Sequence, residues 1–350
     1  MEPRPSRSAF FQTDDGGPRL NYETWEQHGT NPSALTVVFF HGICESAETL
    51  AVQVLAHAVV ARGWRLVVLE FAGHGLSHGP RVLVRDFNQI VEQSTAFVQH
   101  LRRELGQACP RTGVPFVLTG HSFGGTVAAY CADRFAPSSR ITGAVLFAPA
   151  VGVDPEYLPP PFVRQTLRNL ERFFPTWAPP ATPYEDPSHY ACPPGSKRNY
   201  KGHWPLATSR MLLDMVEAVP RDQADGYLKL ECPLLVLAAS RDAATPVGCA
   251  HAFADAARSV RKGFVVCDAT HSIIHGGEAA HRIVRLALDW IADLSRETLR
   301  GRNGVALFPP LHYESTFTPA GDEAVWLAPD VRERLRAVKA ENGVTYDYLA

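Results

Sequence analysis

The chain has 350 residues, 45% of them hydrophobic, enough to bury a sizeable core in one large domain with insertions or in two ordinary ones. Its 34 Lys+Arg balance 36 Asp+Glu, which leaves no basic surplus for a nucleic-acid partner. Seven cysteines, an odd number without a C-x-x-C pair, argue against a disulfide or metal framework and for a reducing compartment.

The first residues, MEPRPSRSAFFQ, carry neither an apolar signal core nor a myristoylation glycine. No later run reaches the ~18 apolar residues of a spanning helix. The expectation is a soluble, cytoplasmic protein. SAFFQTDDGGPRLNYETWEQ predicts a hairpin, because two β-prone stretches flank Asp14-Asp15-Gly16-Gly17, a turn sequence that tolerates positive φ.

Six short apolar runs follow: LTVVFF (35–40), RLVVLEF (65–71), PFVLT (115–119), ITGAVLF (141–147), PLLVLAA (233–239) and GFVVC (263–267). They are nearly continuous in apolar residues rather than alternating, as strands covered on both faces are. Helical patterns lie between or after them, over about 84–105 and 278–294. This alternation predicts an α/β protein with a mostly parallel central sheet flanked by helices.

The rhythm stops from about 152 to 226, where prolines and aromatics crowd in. The expected organisation is therefore a core in two parts, 8–151 and 227–295, with a cap inserted at 152–226 and an appendage at 296–350. Within the cap, PPFVRQTLRNLERFFP places Phe162, Val163, Leu167, Leu170, Phe173 and Phe174 on one helical face and Arg164, Arg168 and Arg172 on another. Such a helix either lies at a membrane surface or packs its apolar face on the core and shows arginines to water. The second reading is preferred, because a cap helix must bury one face. Phe162 and Leu167 are expected to line the path of an acyl chain. In the appendage, PDVRERLRAVKAENG predicts a short helix capped by Asp330.

The chemistry starts at Gly120-His121-Ser122-Phe123-Gly124, set between the strand PFVLT and the helical stretch GTVAAYCADRF. A strand, a G-x-S-x-G turn and a helix hold a serine hydroxyl at a sharp bend, where a helix N-terminus favours negative charge. A nucleophilic serine needs a base and a group that orients the base. Asp242 and His271 follow the next two strand ends, in the order Ser122, Asp242, His271. An oxyanion site needs preset N–H donors. Phe123 supplies one, directly after the serine, and Ile43, after His41-Gly42 at an earlier strand end, supplies the other.

FFHGICES, EFAGHGLSHGP (70–80), VRDF (84–87), GHSFGG and the SRDAATP and ATHS pair occur in that order. Through them, residues 8 to 295 resemble an α/β-hydrolase, more narrowly the monoacylglycerol lipase and lysophospholipase group. The resemblance implies an eight-stranded, mostly parallel sheet, an inserted cap, Ser122 as nucleophile, His271 as base and Asp242 as its orienter. It implies structural roles for His74 and His121, and places Glu45 near a glycerol head group. Thr49 stands where the group carries an arginine, and His275 follows the catalytic histidine by four residues rather than three.

The expected function is a serine ester hydrolase that cleaves single-chain lipid esters, with no metal or organic cofactor implied and with peripheral membrane contact through the cap. A general carboxylesterase or acyltransferase with the same triad remains open, as does a silent hydrolase-fold receptor.

Overall fold

The computed structural model describes residues 4–27, 35–108, 115–135, 141–153, 158, 160–178 and 196–301. The predicted appendage helix at 330–343 lies outside them.

Eight strands form one sheet: β1 (Arg7–Phe11), β2 (Leu20–Trp25), β3 (Thr36–Phe40), β4 (Arg65–Leu69), β5 (Phe116–His121), β6 (Ile141–Phe147), β7 (Leu234–Ala239) and β8 (Lys262–Cys267). Their order across the sheet is β1-β2-β4-β3-β5-β6-β7-β8. The hairpin β1–β2 and the β2–β4 pair are antiparallel, and every pairing beyond them is parallel. All six apolar runs became strands.

The helices are α1 (Leu50–Ala61), α2 (Phe87–Ala108), α3 (Phe123–Arg134), α4 (Pro161–Glu171), α5 (Leu206–Ala224), α6 (Val247–Ala256) and α7 (Gly277–Gly301). Side chains alternate across a strand, so one run feeds two cores. Val38, Phe40, Leu118 and Val236 pack with Phe97, Val98 and Val127 on one face. Val37, Phe39, Val117 and Leu237 pack with Leu55, Val284 and Ile291 on the other. Each such buried Val, Leu or Phe contributes on the order of 1.5–3 kcal/mol. The run pattern was continuous because both faces are covered.

Between β6 and β7, the described residues contain no strand, only α4 and α5, which pack on each other. Here the preferred reading of the α4 wheel fails. The apolar side is turned out: Phe162 is 73% exposed, Phe173 77% and Phe174 57%. Arg164 and Arg168 are turned in, together with Val163 and Leu167, while Arg172 is exposed. Arg164 pairs with Glu217, and Arg168 Nη2 lies 2.8 Å from Asp214 and 3.3 Å from Glu217. The reason is the partner surface, because α5 meets α4 with the carboxylates of Asp214 and Glu217 beside its leucines. Leu167 stays on the α5 side, beside Leu206 and Leu213.

The insertion rejoins the core over the β3–α1 loop. Tyr200 N–H donates to the Cys44 carbonyl at 2.8 Å, and Ser46 Oγ donates to Asn199 Oδ1 at 2.5 Å. Arg198 reaches Glu23 at 2.5 Å and Glu48 at 3.1 Å. Among the described residues, no helix is long and apolar enough to cross a membrane.

Candidate active site

The carboxyl ends of the parallel strands lie at one edge of the sheet, where α/β proteins place their sites. Ser122 stands between β5 and α3 at φ 52°, ψ −121°, a conformation that non-glycine residues avoid. Its N–H donates to the Phe147 carbonyl at 3.0 Å, and its own carbonyl accepts the N–H groups of Gly125 and Ala150. These bonds hold the bend. The flanking glycines are required by close approach rather than by φ. A Cβ on Gly120 would come within 2.1 Å of the Gly124 carbonyl oxygen, and one on Gly124 within 2.1 Å of the Phe40 oxygen.

The structure brings the three residues expected to act together into one chain of hydrogen bonds. His271 Nε2 lies 2.8 Å from Ser122 Oγ, and His271 Nδ1 lies 2.8 Å from Asp242 Oδ2. All three side chains are buried or nearly so. Asp242 Oδ1 accepts the N–H groups of Ala244 and Thr245, each at 2.8 Å, while the Thr245 hydroxyl donates to Oδ2 at 2.6 Å. Burial alone would raise the Asp242 pKa, but its bonds and charge interaction with His271 and its bonds from Thr245 outweigh burial and hold it below the usual carboxylate value. The carboxylate therefore stays ionised and fixes the imidazole so that Nε2 faces the serine. Thr245 was missed in the sequence, where it is only one residue of the SRDAATP stretch.

Phe123 is the first residue of α3, so its N–H has no intrahelical acceptor. Ile43 follows Gly42 in the loop after β3, whose backbone is drawn tight by Glu45 N–H donating to the Gly42 carbonyl at 3.2 Å. His41 supports the same loop. Its Nδ1 faces the Gly42 carbonyl at 2.7 Å, and its Nε2 accepts the Phe71 N–H at 3.2 Å. Burial pushes its pKa down to about 4. His74, pushed down to about 3 by burial, faces the Ala72 carbonyl at 3.0 Å.

Glu45 is not where the resemblance put it. Its side chain is fully buried, with Oε2 accepting the Gly42 N–H at 2.8 Å and Oε1 facing His275 Nε2 at 2.8 Å and His121 Nδ1 at 3.2 Å. Those contacts turn the carboxylate towards the interior of the protein. Thr49 is likewise buried, at the start of α1. The ligand-type atoms of Glu45, His121 and His275 lie within 4.8 Å of one another, close enough for a metal. The hydrogen bonds among them account for that closeness without one. Phe162 is carried on the outer side of α4, and Leu167 on its α5 side. Cys44, Cys131 and Cys267 are buried thiols pushed up to about 12 by desolvation, small hydrophobes rather than nucleophiles.

Comparisons with known proteins agree with this fold. The family described as serine aminopeptidase, S33 (Hydrolase_4), matches residues 31–277. A monoacylglycerol lipase of Mycolicibacterium smegmatis is 28% identical over 69% of this chain and 81% of its own length. The human monoglyceride lipase is 30% identical over 38% of this chain, a match that spans 40% of that enzyme. Among solved structures, a soluble variant of the Saccharomyces cerevisiae monoglyceride lipase superposes with a TM-score of 0.68 at 15% identity, covering 84% of this chain and 96% of that one. A monoacylglycerol lipase of Paleococcus ferrophilus gives 0.61 at 20% identity, with 79% and 99% covered. The eight-stranded sheet, the serine on its strained turn and the match over most of the chain lead to one conclusion: the protein belongs to the Hydrolase_4 family of α/β-hydrolases and resembles the monoacylglycerol lipases.

Proposed function

We propose that the chain is a serine ester hydrolase that releases fatty acid from single-chain lipid esters, a monoacylglycerol or a lysophospholipid. The observation that carries this reading is the 2.8 Å approach of His271 Nε2 to Ser122 Oγ at a backbone position strained to hold it. Ser122 Oγ attacks the ester carbonyl as His271 Nε2 takes its proton. Asp242 holds the imidazole and stabilises the imidazolium. The Ile43 and Phe123 N–H groups receive the developing oxyanion, a role in which one donor is worth about 2.7–4 kcal/mol. His271 then protonates the departing alcohol, leaving an acyl group on Ser122. Water, deprotonated by His271, attacks that acyl group and releases the fatty acid and the serine.

The substrate class is supported by what the relatives are named for and by the apolar face of α4. Residues 152–226 are proposed as the cap over the site. The exposed Phe162, Phe173, Phe174 and Trp177 are proposed to rest on a lipid surface, where aromatic side chains gain from partial burial.

The test is fatty-acid release from a monoacylglycerol, a lysophospholipid and a short-chain ester, by wild type and Ser122→Ala in parallel. Release from a lipid that disappears in the variant supports the proposal, and the better lipid names the head group. Turnover of the short ester alone replaces the lipid reading with a general carboxylesterase. A wild type inert on all three leaves a ligand-binding hydrolase fold.

A further inference from the structure

Behind the reacting atoms, His121, Glu45 and His275 meet in the interior, each no more than 4% exposed. Their protons can be counted. A neutral imidazole offers one N–H and one lone pair. His121 Nε2 lies 2.9 Å from the His271 main-chain carbonyl, which can only accept, so Nε2 carries a proton. His121 Nδ1 lies 3.2 Å from Glu45 Oε1. With Nε2 protonated, a neutral ring would turn a lone pair towards that oxygen, so one more proton belongs to the pair. It sits either on Nδ1 or on the carboxyl. The carboxyl also accepts the Gly42 N–H on Oε2 and faces His275 Nε2 at 2.8 Å on Oε1. Donors converging on a carboxylate favour its ionised form. That leaves the proton on the histidine.

We propose that His121 is held as an imidazolium with Glu45 as its counter-charge, and that this pair is the positioning device of the active site, fixing His271 through its carbonyl and the oxyanion loop through Gly42. The proposal rests on the hydrolase reading for its purpose, but the proton count does not depend on it. The residue before the nucleophile thereby reaches the base by a route other than the reaction path.

The charges around the ring agree. Burial alone would strip the proton from His121. The charge and hydrogen bond of Glu45, from the β3–α1 loop, oppose it, aided by the His271 carbonyl and by Asp242 after β7, and together they hold the pKa above the usual histidine value. His275 and His271, from the segment between β8 and α7, face the same ring at centroid distances of 4.6 and 5.0 Å. Burial pushes His275 down despite Glu45, which leaves it a neutral donor to the carboxylate. Burial would also raise Glu45, but the two histidines hold it well below its usual value.

The experiment is nitrogen NMR of protein labelled with 15N-histidine, on wild type and on Ser122→Ala, at pH 8, where an ordinary imidazole has lost its second proton. The expected result is one histidine with both ring nitrogens protonated, absent from His121→Gln and converted to the neutral form in Glu45→Gln. Both variants should lose kcat on the order of tenfold to a hundredfold with KM nearly unchanged, as a displaced catalytic group does. In Glu45→Gln the alkaline limb of the rate profile should move to lower pH. If wild type shows no doubly protonated histidine at pH 8, or if Glu45→Gln leaves that signal intact, the proposal is overturned. The wild-type spectrum by itself needs no substrate and no variant of the cluster. If no ester is turned over, the hydrolase reading falls while the proton count stands.

Discussion

Two regions of this molecule reverse the usual partition of polar and apolar groups, and they do so for opposite reasons. Behind the active site, Glu45, His121 and His275 are buried charged or ionisable groups, and each finds its partner within the cluster. On α4 and just after it, Phe162, Phe173 and Phe174 stand in solvent, while Arg164 and Arg168 on the inner side of the helix are bound to carboxylates of α5. In the first region the polar groups are inside because they satisfy one another. In the second the apolar groups are outside because the packing surface is taken. Partners decide burial in both.

The contrast yields a series of measurements, the largest effect first. Glu45→Ala would leave His121 and His275 facing an empty space in the core. Breaking one side of a buried pair costs about 3–5 kcal/mol, and urea unfolding should show a loss of that size. A smaller cost near zero would mean that the cluster is not held by charge. Next comes acid. His41 and His74 are folded in with pKa values of about 4 and about 3, against about 6.5 when unfolded. Between those limits the unfolded chain binds more protons, so stability is fully present above pH 6.5 and is lost as the pH falls towards 4. His41 alone should account for about 3 kcal/mol of that loss. Thermal melts from pH 7 to pH 4 should fall through this window, and a flat profile would show that these rings are not buried neutral.

On α4 the same kind of change should cost far less. Arg168→Ala removes a pair that is more than a third exposed, for which ~0.2–1 kcal/mol is the usual range, and added salt should mask most of it. Smallest is the double change Phe173→Ser with Phe174→Ser. Stability should move by no more than about 0.5 kcal/mol, because little burial is lost. Sedimentation with phosphatidylcholine vesicles should fall instead. Unchanged sedimentation would detach the aromatic face from any lipid surface.

The sheet was legible because its strands are runs of Val, Leu and Phe bounded by turns, and a strand covered on both faces leaves that mark. The serine turn was legible because glycine is forced at 120 and 124, and the order of Ser122, Asp242 and His271 could be read from the strand ends. α1 escaped notice. LAVQVLAHAVVA is apolar almost all round, so it shows no period to detect. The α4 wheel could not say which residues turn inward, because the answer lies in Asp214 and Glu217 some fifty residues on, which draw Arg164 and Arg168 to the same side as Leu167. Glu45 was found as a residue that matters, yet its partners at 121 and 275 are joined to it only in three dimensions.

Between its two helices, α4 and α5, the insertion touches the core. Arg198, Asn199 and Tyr200 are stitched to Glu23, Glu48, Ser46 and Cys44, on and around the loop that carries Ile43. An engineer who grafts the 152–226 segment of another hydrolase onto this core would therefore replace these contacts of the β3–α1 loop at the same time. A chimera that takes a donor segment in place of α4 should rejoin the native chain before Arg198, so that the donor's helix arrives and the native clasp remains.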